Sequence, residues 1–192
     1  MTNIEKRQPL IDRFIYWNSQ INLSAIRTPQ EIYKKHILDS LEINEVFEFE
    51  KGKICIDVGT GGGFPLLPVA ISNPQCNFVG LDATQKKIKA VQDTINHLGI
   101  QNATTIWGRS ESQLTKYDYV MARSVSYIDK LWKNISNLGK KGTIFILYKM
   151  LSEEHEDILA LCRKHNLTII KEHKYTLPQD EVTRIIYIIR KG

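Results

Sequence analysis

The stretch DVGTGGGFP (57–65) is the part of the sequence best suited to bind a ligand, because four of its nine residues are glycine. A phosphate-binding loop would need GxxxxGK followed by Ser or Thr, and no such lysine follows these glycines. The dinucleotide fingerprint GxGxxG also fails, since Phe64 stands where its third glycine would be. What remains is GxGxG, formed by Gly59, Gly61 and Gly63, which permits positive φ angles and close approach of a ligand to the backbone.

Two carboxylates accompany this bend. Asp57 directly precedes the glycines, and Asp82 ends the next apolar run. A carboxylate at the second position suits a ribose diol, because it can accept hydrogen bonds from both hydroxyls. Phe64 and Pro65 would add an apolar wall. The site is therefore predicted to bind a ligand that has a ribose, a planar apolar group and a cationic end near Asp57. S-adenosylmethionine meets these requirements; the alternative is a glycine turn that serves only helix–strand packing.

The elements that must position these residues alternate along the chain. Two helices, over 4–19 and from Thr28 to about 41, precede the first strand; Thr28, Pro29 and Glu31 are typical of a helix start. Further helices are predicted at 65–72, 84–98, 127–138 and 152–165. Strands are predicted at 53–58, 77–82, 103–107, 117–122, 142–148, 167–176 and 182–191.

This alternation predicts an α/β fold with a mostly parallel sheet that is covered on both faces. The last two strands have too short a connection for a helical crossover, so we expect them to form an antiparallel hairpin at one edge. We expect residues 1–50 to be a helical extension packed on a single compact domain of residues 51–192.

The charge, apolar runs and cysteines of the chain favour some classes of protein and argue against others. The 192 residues carry a net charge of +5, with basic clusters at 34–35, 86–89, 140–141 and 190–191, which is compatible with a polyanionic partner. No apolar run approaches the roughly 18 residues that span a bilayer, and the N-terminus does not resemble a secretory signal. The three cysteines are scattered without a CxxC, which argues against a metal site and favours a cytoplasmic location.

Several longer stretches carry a resemblance that covers nearly the whole chain. They are NLSAIRTPQEIYKKHILDSL (22–41), IDVGTGGGFPLLPVAI (56–71), GLDATQKK (80–87), GRSES (108–112), YDYVMARSVS (117–126) and VTRIIYIIRK (182–191). In these the sequence resembles the bacterial small-subunit rRNA guanine-N7 methyltransferases, also called the glucose-inhibited division protein B family. The resemblance implies a Rossmann-like class I S-adenosylmethionine-dependent methyltransferase fold. It also implies methyl transfer to N7 of a guanine in the 530 loop of 16S rRNA.

The resemblance also implies roles for single residues. Cofactor contacts are expected at Gly59, Phe64, Ser110, Glu111 and Arg123, beside Asp57, Gly61, Gly63 and Asp82 from the argument above. The chain departs from the family at Leu66, where glycine is usual, and at Ala83, where serine is common. It departs again at Leu147–Tyr148–Lys149, where the family usually has Leu-Lys-Gly.

The implied reaction needs little acid–base chemistry. Guanine N7 already carries an in-plane lone pair at neutral pH, so no metal and no strong base are expected. Positioning alone can supply roughly 7–11 kcal/mol of the acceleration. Arg123 and Lys149 are the positioning candidates, and Arg123 is expected to contact either the methionine carboxylate or the RNA.

Other charged residues are expected to contact RNA or to support the structure. Lys149, Arg184 and Arg190 are the candidates for RNA phosphate contacts. We expect His36 and Asp39, three residues apart on the second helix, to hold that helix against the cofactor site rather than to act in catalysis.

The partner expected from the resemblance is 16S rRNA or the small ribosomal subunit, bound by a monomer. A methyltransferase of the same fold that acts on another RNA, a protein or a small molecule remains an alternative. So do a nucleic-acid-binding protein without activity and, more remotely, a NAD-linked oxidoreductase.

Overall fold

The computed structural model describes residues 4–123, 127–151 and 155–192, and a seven-stranded sheet forms the centre of this part of the chain. The strands are β1 (Ile54–Val58), β2 (Asn77–Asp82), β3 (Ala103–Trp107), β4 (Tyr117–Arg123), β5 (Gly139–Met150), β6 (Leu167–Thr176) and β7 (Thr183–Lys191). Their order across the sheet is β3-β2-β1-β4-β5-β7-β6. Neighbours from β3 to β5 pair in parallel, whereas β7 pairs antiparallel with both β5 and β6. The predicted α/β fold and its antiparallel hairpin at one edge are confirmed.

The helices also follow the predicted order. They are α1 (Gln8–Ile21), α2 (Pro29–Ile32), α3 (Asp39–Leu41), α4 (Leu66–Ser72), α5 (Gln85–Leu98), α6 (Ile128–Ile135) and α7 (His155–Lys164). The hydroxyl oxygen of Thr28 accepts a hydrogen bond from the Glu31 N–H at 3.3 Å, as expected for a cap. Gly99 ends α5 in the left-handed conformation. Residues 152–154, which the sequence assigns to the start of α7, lie outside the described residues.

One helical feature was not predicted. Between α2 and α3 the chain forms a π-helical segment (Tyr33–Leu38), so residues 29–41 form one continuous but irregular helix. π-helical turns have more residues per turn than α-helices and occur frequently at functional sites. Here the segment brings Lys35, His36 and the following Asp39 to the wall of the same cavity.

Apolar side chains cover both faces of the sheet. On one face, buried residues of α1, α4 and α5 form a single cluster with the strands, including Phe14, Leu67 and Val91. On the other face, α6 and α7 contribute Trp132 and Leu161, among others, to a second cluster. In the described ranges, no helix combines the length and the apolar character that crossing a membrane requires.

The strand order determines where a ligand can bind. β1 has β2 on one side and β4 on the other, so the connections that leave β1 and β4 diverge. In open α/β sheets such a switch point opens a crevice beyond the carboxyl ends of the strands. The glycine bend follows β1 at this edge, and Arg123 ends β4 beside it.

Candidate active site

The glycine bend is fixed to the end of β2 by its own backbone. The N–H groups of Gly59 and Thr60 donate to the Leu81 carbonyl at 2.8 and 3.0 Å. The Gly61 N–H donates to Asp82 Oδ2 at 3.1 Å, while Gly61 itself has a φ of 58°. Because L-residues rarely adopt that region, glycine is required where the bend reaches Asp82.

The glycines serve two different purposes. Gly59 and Gly61 line a cavity, which agrees with the ligand interpretation. Gly63 has a φ of 90°, and a Cβ there would lie 2.5 Å from Leu67 Cδ1 of α4. Gly63 is therefore needed for close packing of the helix, so the packing interpretation applies to this position.

Two cavities share Gly59. The Asp82 cavity, about 190 Å³, is lined by residues that follow three neighbouring strands, including Asp82, Ser110 and Glu111. The Arg123 cavity, about 370 Å³, lies on the other side of the bend and is lined by Phe64 and Arg123, among others. The structure thus brings most of the predicted cofactor residues to one edge of the sheet.

Asp82 is held rigidly at the wall of its cavity. Its Oδ1 accepts the Thr84 N–H at 2.8 Å, and its Oδ2 accepts the Gly61 N–H. Each carboxylate oxygen has a second lone pair, so both can still accept from a ligand hydroxyl. Across the cavity, the Ser110 hydroxyl donates to Glu111 Oε2 at 3.2 Å. This arrangement fits a ribose diol followed by a base with an exocyclic amino group.

Asp57 lies beneath the bend rather than at the surface of either cavity. Its side chain is 1% exposed, and Oδ2 accepts the Leu66 N–H at the start of α4 at 3.2 Å. Oδ1 has no hydrogen-bond partner among the described residues, and burial raises the pKa of Asp57 to about 6. Its contact with a cationic ligand stays a prediction.

Arg123 belongs to a buried charge cluster centred on Asp39. Arg123 Nη1 donates to Asp39 Oδ2 at 2.9 Å, and their side chains are only 13% and 10% exposed. Arg184 Nε lies 3.3 Å from Asp39 Oδ1, and the Tyr175 hydroxyl donates to the same oxygen at 2.8 Å. Asp180 completes the cluster by pairing with Arg184 at 2.9 Å. Asp39 therefore connects the N-terminal helical segment to β4 and to the terminal hairpin.

His36 forms part of the apolar wall of the Arg123 cavity. Its ring stacks on Phe64 with centroids 4.8 Å apart and an angle of 16°, and Nε2 lies 3.1 Å from Ser24 Oγ. Burial and the Arg123 guanidinium lower the pKa of His36 to about 4. The imidazole is therefore neutral at physiological pH, and its contacts agree with the structural role expected from the sequence.

Two of the predicted basic residues, Lys149 and Arg190, do not join the site. Lys149 pairs with Ile185 near the end of β5 but lines neither cavity. It alternates with Tyr148, whose hydroxyl reaches Ser40 on the opposite face of the sheet. Arg190 pairs with Ile144, at the far end of β7 from Arg184. Their roles in positioning or RNA contact stay predictions.

Sequence reasoning missed the ion-pair function of Asp39, for which the only signal was its spacing from His36. As for metals, the described part of the chain contains no group of three His, Cys, Asp or Glu side chains that could hold an ion.

Comparison with known proteins places these observations in a family. Residues 3–183 match the family model GidB, described as rRNA small subunit methyltransferase G. The ribosomal RNA small subunit methyltransferase G of Lachnoclostridium phytofermentans is 31% identical, over 98% of this chain and 81% of that protein. The protein of the same name from Flavobacterium johnsoniae is 36% identical, over 82% of this chain and 79% of its own length.

Solved structures agree on the fold alone. A SAM-dependent methyltransferase from Aquifex aeolicus superimposes with a TM-score of 0.65 at 12% identity, covering 99% of this chain and all of that one. Precorrin-6y C5,15-methyltransferase from Geobacter metallireducens gives a TM-score of 0.62 at 11% identity, covering 81% and 86%.

The low pKa of His36 predicts a pH dependence of stability. The unfolded chain protonates this histidine below about pH 6.5, whereas the folded protein keeps it neutral down to about pH 4. His36 therefore contributes stability that is lost as the pH falls through this window. We expect the difference in unfolding free energy between wild type and His36→Gln to grow from about pH 4 to 6.5 and then stay constant. Urea unfolding across this range measures it.

The contribution of Asp57 to stability varies with pH in the opposite direction, because its raised pKa favours the folded state at low pH. That contribution is present in both proteins and cancels in the difference. A difference that does not vary with pH would contradict the burial of a neutral His36.

The Asp39 cluster predicts a large loss of stability on neutralisation. Asp39→Asn leaves the buried Arg123 without its counter-charge, while Arg184 keeps Asp180, and we expect a cost of about 3–5 kcal/mol. Chemical denaturation measures the loss. The control is Glu31→Gln, which removes an exposed pair with Lys35 and should change stability little. Equal, small effects of both substitutions would show that Asp39 does not hold the segments together.

Proposed function

Because the chain belongs to the GidB family of rRNA small subunit methyltransferases G, we propose that it methylates N7 of a guanine in the 530 loop of 16S rRNA. The protein is an S-adenosylmethionine-dependent rRNA methyltransferase. The proposal adds which base of the rRNA is methylated and in which loop it lies. The single observation that carries it is the pair of cavities that share Gly59, one beside Asp82 and the other beside Arg123.

The residues of the two cavities fit the parts of S-adenosylmethionine. Asp82 would accept from the ribose hydroxyls, and Glu111 would accept from the adenine amino group. The backbone of Gly59 and Gly61 leaves room for the methionine part, and Arg123 offers a cation for its carboxylate. When bound, this cofactor supplies the methyl group on a positively charged sulfur.

The Arg123 cavity is where the guanine would enter. Lys35, Arg123 and Arg184 line it and offer hydrogen-bond donors to an RNA base or phosphate. Their charges are balanced by ion pairs with Glu31, Asp39 and Asp180. N7 would attack the transferable methyl group through its own lone pair, so the residues of this wall would only have to position the base. No proton has to leave N7, which is consistent with a His36 that is neutral and engaged by Ser24 and Arg123.

The remaining assignments belong to the same proposal. The substrate would be 16S rRNA or the small subunit, and the enzyme would act as a cytoplasmic monomer. Residues 1–50 would form an extension of the catalytic unit at 51–192. His36 and Asp39 belong to this extension and line the Arg123 cavity, so the extension would contribute to the active site.

The direct test is transfer of labelled methyl groups from S-adenosylmethionine to small subunits that lack the modification. Borohydride and aniline then cleave the RNA at N7-methylguanine, so the scission maps the base. We expect one labelled guanine in the 530 loop. Label on another atom or in another region would overturn the proposed substrate and leave the family membership intact.

Asp82→Asn tests the cofactor assignment. The asparagine keeps an acceptor oxygen for only one of the two backbone N–H groups that Asp82 binds, and it loses the charge that would bind the ribose. We therefore expect S-adenosylmethionine to bind roughly 10- to 100-fold more weakly. Isothermal titration measures this affinity.

The matched control is Asp118→Asn. Asp118 also accepts a backbone N–H, from Ile54 at 3.1 Å, but lines neither cavity. Its substitution should leave cofactor affinity unchanged. If Asp82→Asn binds the cofactor as tightly as this control does, the ribose does not contact Asp82.

A further inference from the structure

A third cavity lies at the edge of the sheet opposite the candidate active site. This Lys191 cavity, about 570 Å³, is enclosed between α6 and α7. Four of its lining residues are lysines, and Asp129 is the single acidic residue among its described lining. The lysines are Lys116, Lys133, Lys164 and Lys191.

The lysines are only partly compensated within the protein. Lys191 Nζ donates to the carbonyls of Ser136 and Gly139 at 3.0 and 3.1 Å, and Lys116 Nζ donates to the Asn137 carbonyl. Neutral carbonyls accept these hydrogen bonds but leave the positive charges in place. Burial and the nearby Lys116 lower the pKa of Lys191, as expected for like charges held together.

The other two lysines are free to meet a ligand. Lys133 and Lys164 are exposed at the rim, and within the described part of the chain neither forms a hydrogen bond or an ion pair. The cavity therefore combines two ammonium groups held by backbone carbonyls, Lys116 and Lys191, with two exposed ones, Lys133 and Lys164. Such an arrangement suits phosphate oxygens that approach from solvent.

Two strands connect this cavity to the active site. β4 follows Lys116 and ends at Arg123, while β7 contains Arg184 near its start and ends at Lys191. Seven residues of strand, at about 3.3 Å each, separate the two ends by roughly 23 Å. A small metabolite cannot reach both sites at once, whereas a folded ribosomal RNA can.

We propose that the Lys191 cavity binds backbone phosphates of the rRNA substrate and anchors it roughly 23 Å from the site of methyl transfer. The inference rests on the proposed function, because it takes rRNA as the ligand. It adds a second contact region, on the opposite edge of the sheet from the Arg123 cavity.

The test uses a double variant, the Glu variant, which carries both Lys133→Glu and Lys164→Glu. Neither side chain forms a described hydrogen bond or ion pair, so the fold should tolerate both changes. Lys133→Arg with Lys164→Arg preserves the charge. Lys171→Glu is the matched control, because Lys171 is an exposed lysine of β6 outside the described cavities. Each protein is assayed for 16S rRNA binding between 50 and 200 mM salt, for the KM of small subunits and for S-adenosylmethionine affinity.

Loss of two phosphate contacts should make the slope of log binding constant against log salt concentration less steep by about 1.4–1.8. Over this fourfold change in salt, wild type should therefore lose about 7- to 12-fold more affinity than the Glu variant. The KM for small subunits should rise only in the Glu variant, with cofactor affinity unchanged in all variants. The Arg variant and Lys171→Glu should behave as wild type.

Other outcomes separate this inference from the proposed function. If wild type methylates the 530 loop and the Glu variant keeps its salt slope and KM, the anchoring site is wrong and the function stands. If the Glu variant loses only affinity for inorganic tripolyphosphate, the cavity is a small-anion site and the inference is overturned. If the Glu variant shows the flattened salt dependence and wild type methylates a different base, the anchor stands and the proposed target falls.

Discussion

The hydrogen bond from the Gly61 N–H to Asp82 is the contact on which the site depends. It draws the bend after β1 over the end of β2, where Asp82 also accepts the Thr84 N–H. A residue with a side chain would resist the left-handed backbone that Gly61 adopts. With the bend fixed there, Gly59 becomes the shared wall of two cavities. The same carboxylate that shapes the loop thus remains available to a ribose.

A second constraint acts from the other side of the crevice. Asp39 binds Arg123, Arg184 and Tyr175, which come from widely separated parts of the chain. Removing Asp39 would leave the buried Arg123 without a counter-charge and Arg184 with Asp180 alone, so Asp39 stabilises these segments together. The helical region before the sheet is therefore part of the wall against which the acceptor base would be positioned. The proposed reaction at N7 requires no proton transfer from this region.

Most of the fold and part of the site could be predicted from local sequence. The alternation of strands and helices gave the parallel sheet, and parallel strands bring Gly59, Asp82 and Ser110 to one edge. The contact between Asp39 and Arg184 could not be predicted, because no local pattern encodes a pairing between positions so far apart. Asp57 was expected at the cavity, but its carboxylate faces the start of α4 instead. Lys149 was expected to position the substrate or to contact RNA, and strand alternation places it on the opposite face of β5 from Tyr148.

The most direct measurement is a crystal structure with S-adenosylhomocysteine bound. We expect both ribose hydroxyls to lie within about 3.2 Å of the Asp82 carboxylate. We also expect the adenine to lie beside Glu111 and the amino-acid end of the ligand to extend across Gly59 toward Arg123. A nucleoside bound elsewhere, or one whose ribose makes no contact with Asp82, would contradict the central claim that the glycine bend and this carboxylate hold the methyl donor.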